Sequence, residues 1–289
     1  MPSRRNALRL FGLAGAATLA AIGWRSRAQG LGGASSWCVF YGEDVDPAVL
    51  KGFDIVVLDP GFKGSIEAVT AQGSKAVGYL SLGEIKRDGP FFAALDDPSA
   101  ILSENPHWPG TYLVDVRSPG WHRLILDVAV PRLLAQGFTG LFFDTLDTPP
   151  HLEQLDPERN RGMRGAAIAL VQAIRRRHPA TTLVMNRGYA LLPDLADDID
   201  ALVAESLLTT FDPQTRAYRW VDPRTVELQM LALRPLRARA HPLSILSLDY
   251  WDPADSATIR TIYDRERRLG HVPYVSTILL DQLVPEPQS

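Results

Sequence analysis

Short runs of apolar residues recur along the chain from residue 37 onward, and longer amphipathic stretches separate them. The runs are rich in Val, Ile, Leu, Phe and Tyr, with little polar alternation, which is typical of strands buried on both faces of a sheet. Eight runs are therefore predicted to be strands: 37–41, 55–59, 76–81, 141–144, 182–186, 201–205, 243–248 and 272–277.

Helices are predicted between several of these strands, over residues 121–136, 164–177 and 255–269. Each has apolar positions at helical spacing, and the second ends in basic residues that suit the helix dipole. Gly137 and Gly270 follow two of these segments, where a left-handed residue commonly ends a helix.

Alternating strands and helices in this number predict a single-domain α/β fold, a (β/α)8 TIM barrel, over residues 37–282. An open, doubly wound sheet is the alternative. A ninth apolar run, 112–116, is interpreted as a strand-like piece inside the third β-to-α connection. Residues 283–289 are expected to form a disordered tail.

The N-terminus resembles an export signal. Arg4 and Arg5 form a twin-arginine pattern, an apolar run spans 10–23, and Ser26 and Ala28 supply small residues for cleavage. The run is shorter than the roughly 20 residues of a membrane span. We therefore expect a twin-arginine-type signal peptide over 1–28 and a short linker over 29–36, which implies a periplasmic or secreted bacterial protein. An uncleaved amphipathic helix or membrane anchor is the alternative.

The charge balance is asymmetric along the chain. The whole chain of 289 residues carries a formal charge of −3. Residues 1–28 contain five arginines and no acidic residue, so the rest of the chain is more acidic than the total suggests. That remainder holds 25 basic against 33 acidic residues, a net charge of about −8, which disfavours nucleic acid and anionic membranes as partners. Cys38 is the single cysteine, so an internal disulfide and a cysteine-based metal cluster are excluded.

Polar side chains follow nearly every predicted strand, at the end where barrel enzymes place their active residues. Any one of them could simply cap the next helix or occupy a turn. Asp144 and Glu205 differ because each is the first polar residue after an apolar run, on strands that one further strand separates. A facing pair of carboxylates suits glycoside hydrolysis, with retention or inversion decided by their separation.

Aromatic residues near these strand ends favour a carbohydrate ligand, since sugar faces stack on such rings and a protonated amino sugar gains cation–π attraction. Tyr250 and Trp251 are the better candidates, whereas Trp121 is expected to pack the start of its helix. The histidines lack metal-ligand spacing, and phosphate-loop, dinucleotide and nucleophile-elbow motifs are absent from the sequence. We therefore expect neither a metal nor an organic cofactor.

Several strings of the sequence together resemble glycoside hydrolase family 114, whose characterised members are endo-α-1,4-polygalactosaminidases. The similarity extends from about residue 37 to residue 280. The strings that carry it are FDIVVLD (53–59), GYLSLGE (78–84), GFTGLFFDTLD (137–147), NRG (186–188) and ES (205–206).

The resemblance implies a (β/α)8 barrel that hydrolyses α-1,4-linked galactosamine polymers with Asp144 as nucleophile and Glu205 as general acid/base. A cationic polymer also matches the acidic body of the chain. We therefore expect an exported, monomeric polysaccharide hydrolase that retains the anomeric configuration. The alternatives are a hydrolase of another α-glycan and a polysaccharide-binding barrel without turnover. The predicted substrate-binding residues are Tyr41, Asp59, Tyr79, Glu84, Asp147, Asn186, Tyr250 and Trp251.

Overall fold

A computed structural model describes residues 31, 33–240 and 242–288. The predicted signal peptide over 1–28 lies outside these residues. The strands, in chain order, are β1 (Trp37–Phe40), β2 (Ile55–Leu58), β3 (Lys75–Ser81), β4 (Glu84–Lys86), β5 (Ile101–Glu104), β6 (Thr111–Val114), β7 (Gly140–Asp144), β8 (Thr182–Asn186), β9 (Ala201–Glu205), β10 (Thr209–Asp212), β11 (Ala217–Trp220), β12 (Ser244–Tyr250) and β13 (Val272–Ser276).

Eight strands form one parallel sheet in the order β1-β2-β3-β7-β8-β9-β12-β13. The sheet curls until its two edge strands come together, where the indole N–H of Trp37 donates to the carbonyl of Val272 at 2.9 Å. The structure therefore confirms the predicted barrel over the doubly wound alternative. Seven of the eight predicted strands match the observed barrel strands to within one residue at each end.

The helices lie between the barrel strands. They are α1 (Ile66–Ala71), α2 (Pro119–Arg123), α3 (Val130–Ala135), α4 (Thr148–Leu155), α5 (Met163–Arg177), α6 (Leu192–Leu195), α7 (Pro223–Arg237) and α8 (Ser256–Arg268). A π-helical segment, Leu124–Ala129, joins α2 to α3 just before Pro131, which has no N–H to donate to the preceding turn. The continuous helix agrees with the predicted segment 121–136.

Two insertions rise from the ends of barrel strands. The antiparallel sheet β4-β6-β5 stands between β3 and α2, which confirms that the run 112–116 belongs to the third connection. The hairpin β10–β11 follows β9, which carries Glu205 at its end. Both insertions therefore extend the loops at the carboxyl end of the barrel.

The core includes the apolar strand residues predicted from the sequence, Cys38 among them, together with apolar residues of the surrounding helices. Most barrel strands are buried along their length. Gly137 (φ 101°) and Gly270 (φ 75°) are left-handed at the ends of their helices, as expected. Within the described ranges, no helix is long and apolar enough to cross a membrane.

Two boundaries differ from expectation. Strand β12 ends at Tyr250 rather than at residue 248, because the polar side chain of Asp249 finds backbone donors inside the protein. Residues 283–288 lie against the barrel rather than forming a disordered tail. Val284 is buried there, and Glu286 pairs with Arg267 at 2.5 Å.

Candidate active site

Asp144, Asn186 and Glu205 are the last residues of three consecutive barrel strands, β7, β8 and β9. The apolar residues before them are buried, so the chain carries each polar side chain out of the core at the same edge of the sheet. Each strand then turns sharply through a left-handed, non-glycine residue, an uncommon conformation that tends to occur at functional sites. These three residues are Thr145 (φ 62°), Arg187 (φ 50°) and Ser206 (φ 53°).

The side-chain amide of Asn186 bridges the two carboxylates. Its nitrogen donates to Oδ1 of Asp144 at 3.0 Å and to Oε2 of Glu205 at 2.6 Å. Asn186 is itself buried, whereas the two carboxylates that it contacts are partly exposed. Asp144 and Glu205 are thus held facing a common space.

The second oxygen of each carboxylate accepts a hydrogen bond from a different tyrosine. Tyr79 donates its hydroxyl to Oδ2 of Asp144 at 2.9 Å, and Tyr250 donates to Oε1 of Glu205 at 2.5 Å. Burial, reinforced by the adjacent carboxylate, raises the pKa of each tyrosine well above its usual value. Both phenols therefore remain protonated donors at ordinary pH.

The two carboxylic groups differ in environment. Burial, and next the charge of Asp144, raise the pKa of Glu205, although hydrogen bonds from Asn186 and Tyr250 partly oppose this. A raised pKa favours the protonated form of a carboxyl group, and this form can act as a general acid. Glu205 is therefore the group suited to donate a proton, and Asp144 is the carboxylate that Tyr79 and Asn186 orient.

Tyr41 and Asp59 lie next to this centre. The ring of Tyr41 packs edge-on against Tyr79, with ring centroids 5.1 Å apart. Asp59 accepts from the backbone N–H of Gly61 at 2.7 Å and lies on the wall of a cavity of about 110 Å³ that Tyr79 also lines. Burial raises the pKa of Asp59.

Glu84 and Asp147 are engaged with the protein itself. Both oxygens of Glu84 accept from the amide of Asn105, at 3.1 and 3.0 Å, and one also accepts from Thr148 at 3.1 Å, which ties the insertion sheet to the barrel. Asp147 pairs with Arg187 at 3.0 Å and accepts from a backbone N–H at 3.1 Å. Burial raises the pKa of Asp147, and Arg187 partly opposes this.

Trp251 lies outside the carboxylate centre. Its indole N–H donates to Asp255 at 3.1 Å, and its ring packs beside Tyr218 and Trp220 of the β10–β11 hairpin. Trp121, expected to pack its helix, is buried and donates to the carbonyl of Leu82 at 3.0 Å.

Two residues of the site, Arg187 and Thr145, were not predicted from the sequence. Arg187 pairs with Asp147 and lies close enough to Glu205 to lower the pKa of that group. Its position directly after Asn186 was a usable signal. Thr145 accepts from the backbone N–H of Gly83 at 2.7 Å, and no sequence pattern indicated its left-handed conformation.

Polar residues that follow the predicted strands were expected at the mouth of the barrel, but Asp249, which follows the predicted strand 243–248, does not lie there. Its side chain is fully buried, and it accepts from the backbone N–H groups of Leu208 and Thr209. Successive side chains of a strand point to opposite faces, so Tyr250 reaches the site while its neighbour does not. In the described part of the chain, no group of His, Cys, Asp and Glu side chains is arranged to hold a metal ion.

Comparison with known proteins agrees with this geometry. The sequence model of glycoside hydrolase family GH114 matches residues 16–289. The glycoside hydrolase domain of PelA from Pseudomonas aeruginosa is 31% identical, with a TM-score of 0.79 over 88% of this chain and 99% of that domain.

More distant relatives share the sequence or the fold alone. An uncharacterized protein of Deinococcus radiodurans is 25% identical over 80% of this chain and 75% of its own length. Aspergillus fumigatus Ega3, solved in complex with galactosamine, is 13% identical, with a TM-score of 0.66 over 91% of this chain and 97% of its own. The family match covers nearly the whole chain, and the chain therefore belongs to glycoside hydrolase family 114 and is a glycoside hydrolase.

Proposed function

We propose that the protein is an exported hydrolase that cleaves α-1,4-linked galactosamine-type polysaccharide with retention of configuration. Asp144 is the nucleophile, and Glu205 is the general acid/base. The observation that carries the catalytic assignment is the bridge formed by Asn186, which holds both carboxylates toward one space.

The separation of the carboxylates supports retention. One nitrogen lies 3.0 Å from an oxygen of Asp144 and 2.6 Å from an oxygen of Glu205, so these two oxygens are within about 6 Å of each other. Retaining enzymes hold their carboxyl groups about 5–5.5 Å apart, and inverting enzymes roughly 6.5–9.5 Å apart. The shorter range leaves no room for a water molecule between Asp144 and the sugar.

The proposed reaction has two steps. Protonated Glu205 gives its proton to the glycosidic oxygen as that bond breaks, while Asp144 bonds to the anomeric carbon and forms a glycosyl ester. Glu205, now ionised, takes a proton from water, and the water oxygen displaces Asp144. Both catalytic groups return to their starting protonation states, and Tyr79 and Asn186 orient Asp144 during its attack.

Three features support an amino-sugar polymer as the substrate. The strings described above resemble polygalactosaminidases, the structural neighbour Ega3 was solved with galactosamine, and the chain beyond residue 28 is acidic. The carboxylates at the mouth attract protonated amines. Export is supported by the twin-arginine pattern and the apolar run over 10–23. Monomeric action is part of the same proposal.

The test is hydrolysis of partly deacetylated α-1,4-galactosamine polymer, followed by mass spectrometry of released oligosaccharides and NMR of the anomeric configuration. Asp144→Asn and Glu205→Gln should each lower turnover by at least about a thousandfold while circular dichroism shows a folded protein. First-formed products of the α configuration support retention, and β products contradict it. Polymer retention by the wild type without release would favour the binding alternative, and release from another α-glycan alone would redirect the substrate assignment.

A further inference from the structure

Asp249 anchors the chain that follows the catalytic strand β9. Its side chain is fully buried, and Oδ1 accepts from the backbone N–H of Leu208 at 2.9 Å and of Thr209 at 2.7 Å. The hydroxyl of Thr209 donates to the same oxygen at 3.2 Å. These donors lie three and four residues after Glu205, so one buried oxygen sets where the chain goes once it leaves the site.

The same segment of β12 also holds Glu205 from the side of the active site. Tyr250, the next residue after Asp249, donates to the Glu205 carboxyl at 2.5 Å. The carbonyl of Leu248, the residue before it, accepts from the backbone N–H of Ser206 at 2.8 Å. Asp249 and Tyr250 thus secure opposite sides of one sharp turn, in which Ser206 is left-handed with φ of 53°.

A buried polar cluster lies behind Asp249. Glu266 on α8 accepts from Nδ1 of His271 at 2.5 Å, and neither side chain is exposed. Burial, and next the positive charge of Arg237 on α7, lower the pKa of His271 to about 4, so its ring is neutral near pH 7. Burial and the neighbouring Glu266 raise the pKa of Asp249 well above its usual value. This shift favours the protonated, uncharged form of Asp249.

We propose that Asp249 is a positioning residue for Glu205. By fixing Leu208 and Thr209, it holds the end of β9 where the hydroxyl of Tyr250 and the amide of Asn186 reach the Glu205 carboxyl. This inference rests on the proposed role of Glu205 as general acid/base. Asp249 would thus help to orient the Glu205 carboxyl from a position outside the substrate cleft.

The test compares two substitutions at residue 249 with a matched control. Asp249→Asn keeps both an acceptor for the three donors and a polar hydrogen, whereas Asp249→Ala removes the anchor. Asp200→Asn is the control, because Asp200 is an equally buried carboxylate directly before β9, at the opposite end of the barrel, where it pairs with Arg175 at 2.6 Å. This control separates a loss of stability from a loss of positioning.

Two readouts are measured on each folded variant. The first is the pKa of Glu205 from the ¹³C shift of its carboxyl carbon, assigned by its loss in Glu205→Gln, which needs no substrate. The second is kcat and KM on the galactosamine polymer, expressed per folded molecule. If the wild type does not cleave the polymer, the proposed substrate fails, and the titration still tests the positioning of Glu205.

Asp249→Ala should lower kcat by at least about tenfold with KM changed less than about threefold, because the lost alignment affects the proton transfer. The pKa of Glu205 should rise by at least about half a unit as its hydrogen bonds from Tyr250 and Asn186 loosen. Asp249→Asn should stay close to the wild type in both readouts. Asp200→Asn should lower the melting temperature alone.

Wild-type kcat and Glu205 pKa in Asp249→Ala would overturn the proposal, as would an Asp249→Asn variant impaired as strongly as Asp249→Ala. If Asp249→Ala does not fold, Thr209→Val decides, because it removes only the hydroxyl donor to Asp249. It should lower kcat by about twofold or more and raise the Glu205 pKa. Wild-type values for Thr209→Val would then reject the positioning role.

Discussion

The phenol oxygen of Tyr250 lies 2.5 Å from Oε1 of Glu205 and donates its hydrogen to that carboxyl. Tyr250 is buried, so water cannot readily replace it as a donor. The bond lowers the pKa of Glu205 against the larger effect of burial, which raises it. Tyr250 therefore helps set the pH at which Glu205 can lose its proton.

Tyr250→Phe should move the basic limb of the pH–rate profile to higher pH and lower kcat by about tenfold. The limb falls as pH rises through the pKa of Glu205, because the acid must be protonated to donate. The hydrogen bond from Tyr250 lowers this pKa, so its loss moves the limb to higher pH. Tyr263→Phe, a buried tyrosine on α8, is the control and should leave the limb in place. A wild-type limb in Tyr250→Phe would show that Tyr250 does not tune Glu205.

Asn186→Asp should lower kcat/KM by at least about a hundredfold at pH 7. The substitution replaces a donor to both carboxylates with a third carboxylate of nearly the same shape. Its burial and the adjacent carboxyl groups raise its pKa, so it regains a proton at acidic pH. Activity relative to the wild type should therefore recover partly as the pH falls, which a pH–rate profile measures. An equal deficit at every pH would argue against the charge explanation.

Gly83→Ala should abolish most activity. A Cβ at this position would lie 2.3 Å from the carbonyl oxygen of Thr145, so the peptide between Thr145 and Leu146, one residue beyond Asp144, would have to move. We expect at least about a hundredfold loss of kcat, since displacement of a catalytic group by about 1 Å can have this effect. Gly165→Ala in helix α5 is the control, because the new Cβ would have no atom within 4 Å apart from its chain neighbours and the backbone of its own helix. It should leave kcat unchanged and stabilise the helix by roughly 1 kcal/mol.

Glu266→Gln should reduce the loss of stability that occurs on raising the pH from about 4.5 to 7. Burial raises the pKa of Glu266 to about 7, so between its unfolded and folded pKa values the native state holds more protons than the unfolded state. Stability that is present below pH 4.5 is therefore lost as the pH rises through this window, by about 2 to 3 kcal/mol. Glutamine cannot ionise, and it retains an acceptor for His271.

Urea unfolding at several pH values measures this difference. The control is Glu286→Gln, which removes a partly exposed partner of Arg267 and should change stability by less than about 1 kcal/mol. If the stability curve of Glu266→Gln is parallel to that of the wild type across the window, Glu266 is not the group that titrates there.

Much of the fold could be predicted because burial on both faces makes the barrel strands recognisable. Runs such as 55–58 and 201–204 are continuously apolar, and the polar residue after each run marks a strand end. The insertion sheet and the hairpin were less predictable because their strands are short and partly exposed. Their positions depend on contacts such as that between Glu84 and Asn105.

The sequence by itself determined the barrel and the residues that end its strands, since these depend on local apolar pattern and chain order. Only the tertiary structure decided which strand-end side chains meet. Asn186 reaches both Asp144 and Glu205 because β8 lies between β7 and β9. Asp249 and Tyr250 are adjacent in sequence and have opposite surroundings, because side chains alternate between the faces of a strand and the register of β12 selects which one faces the site.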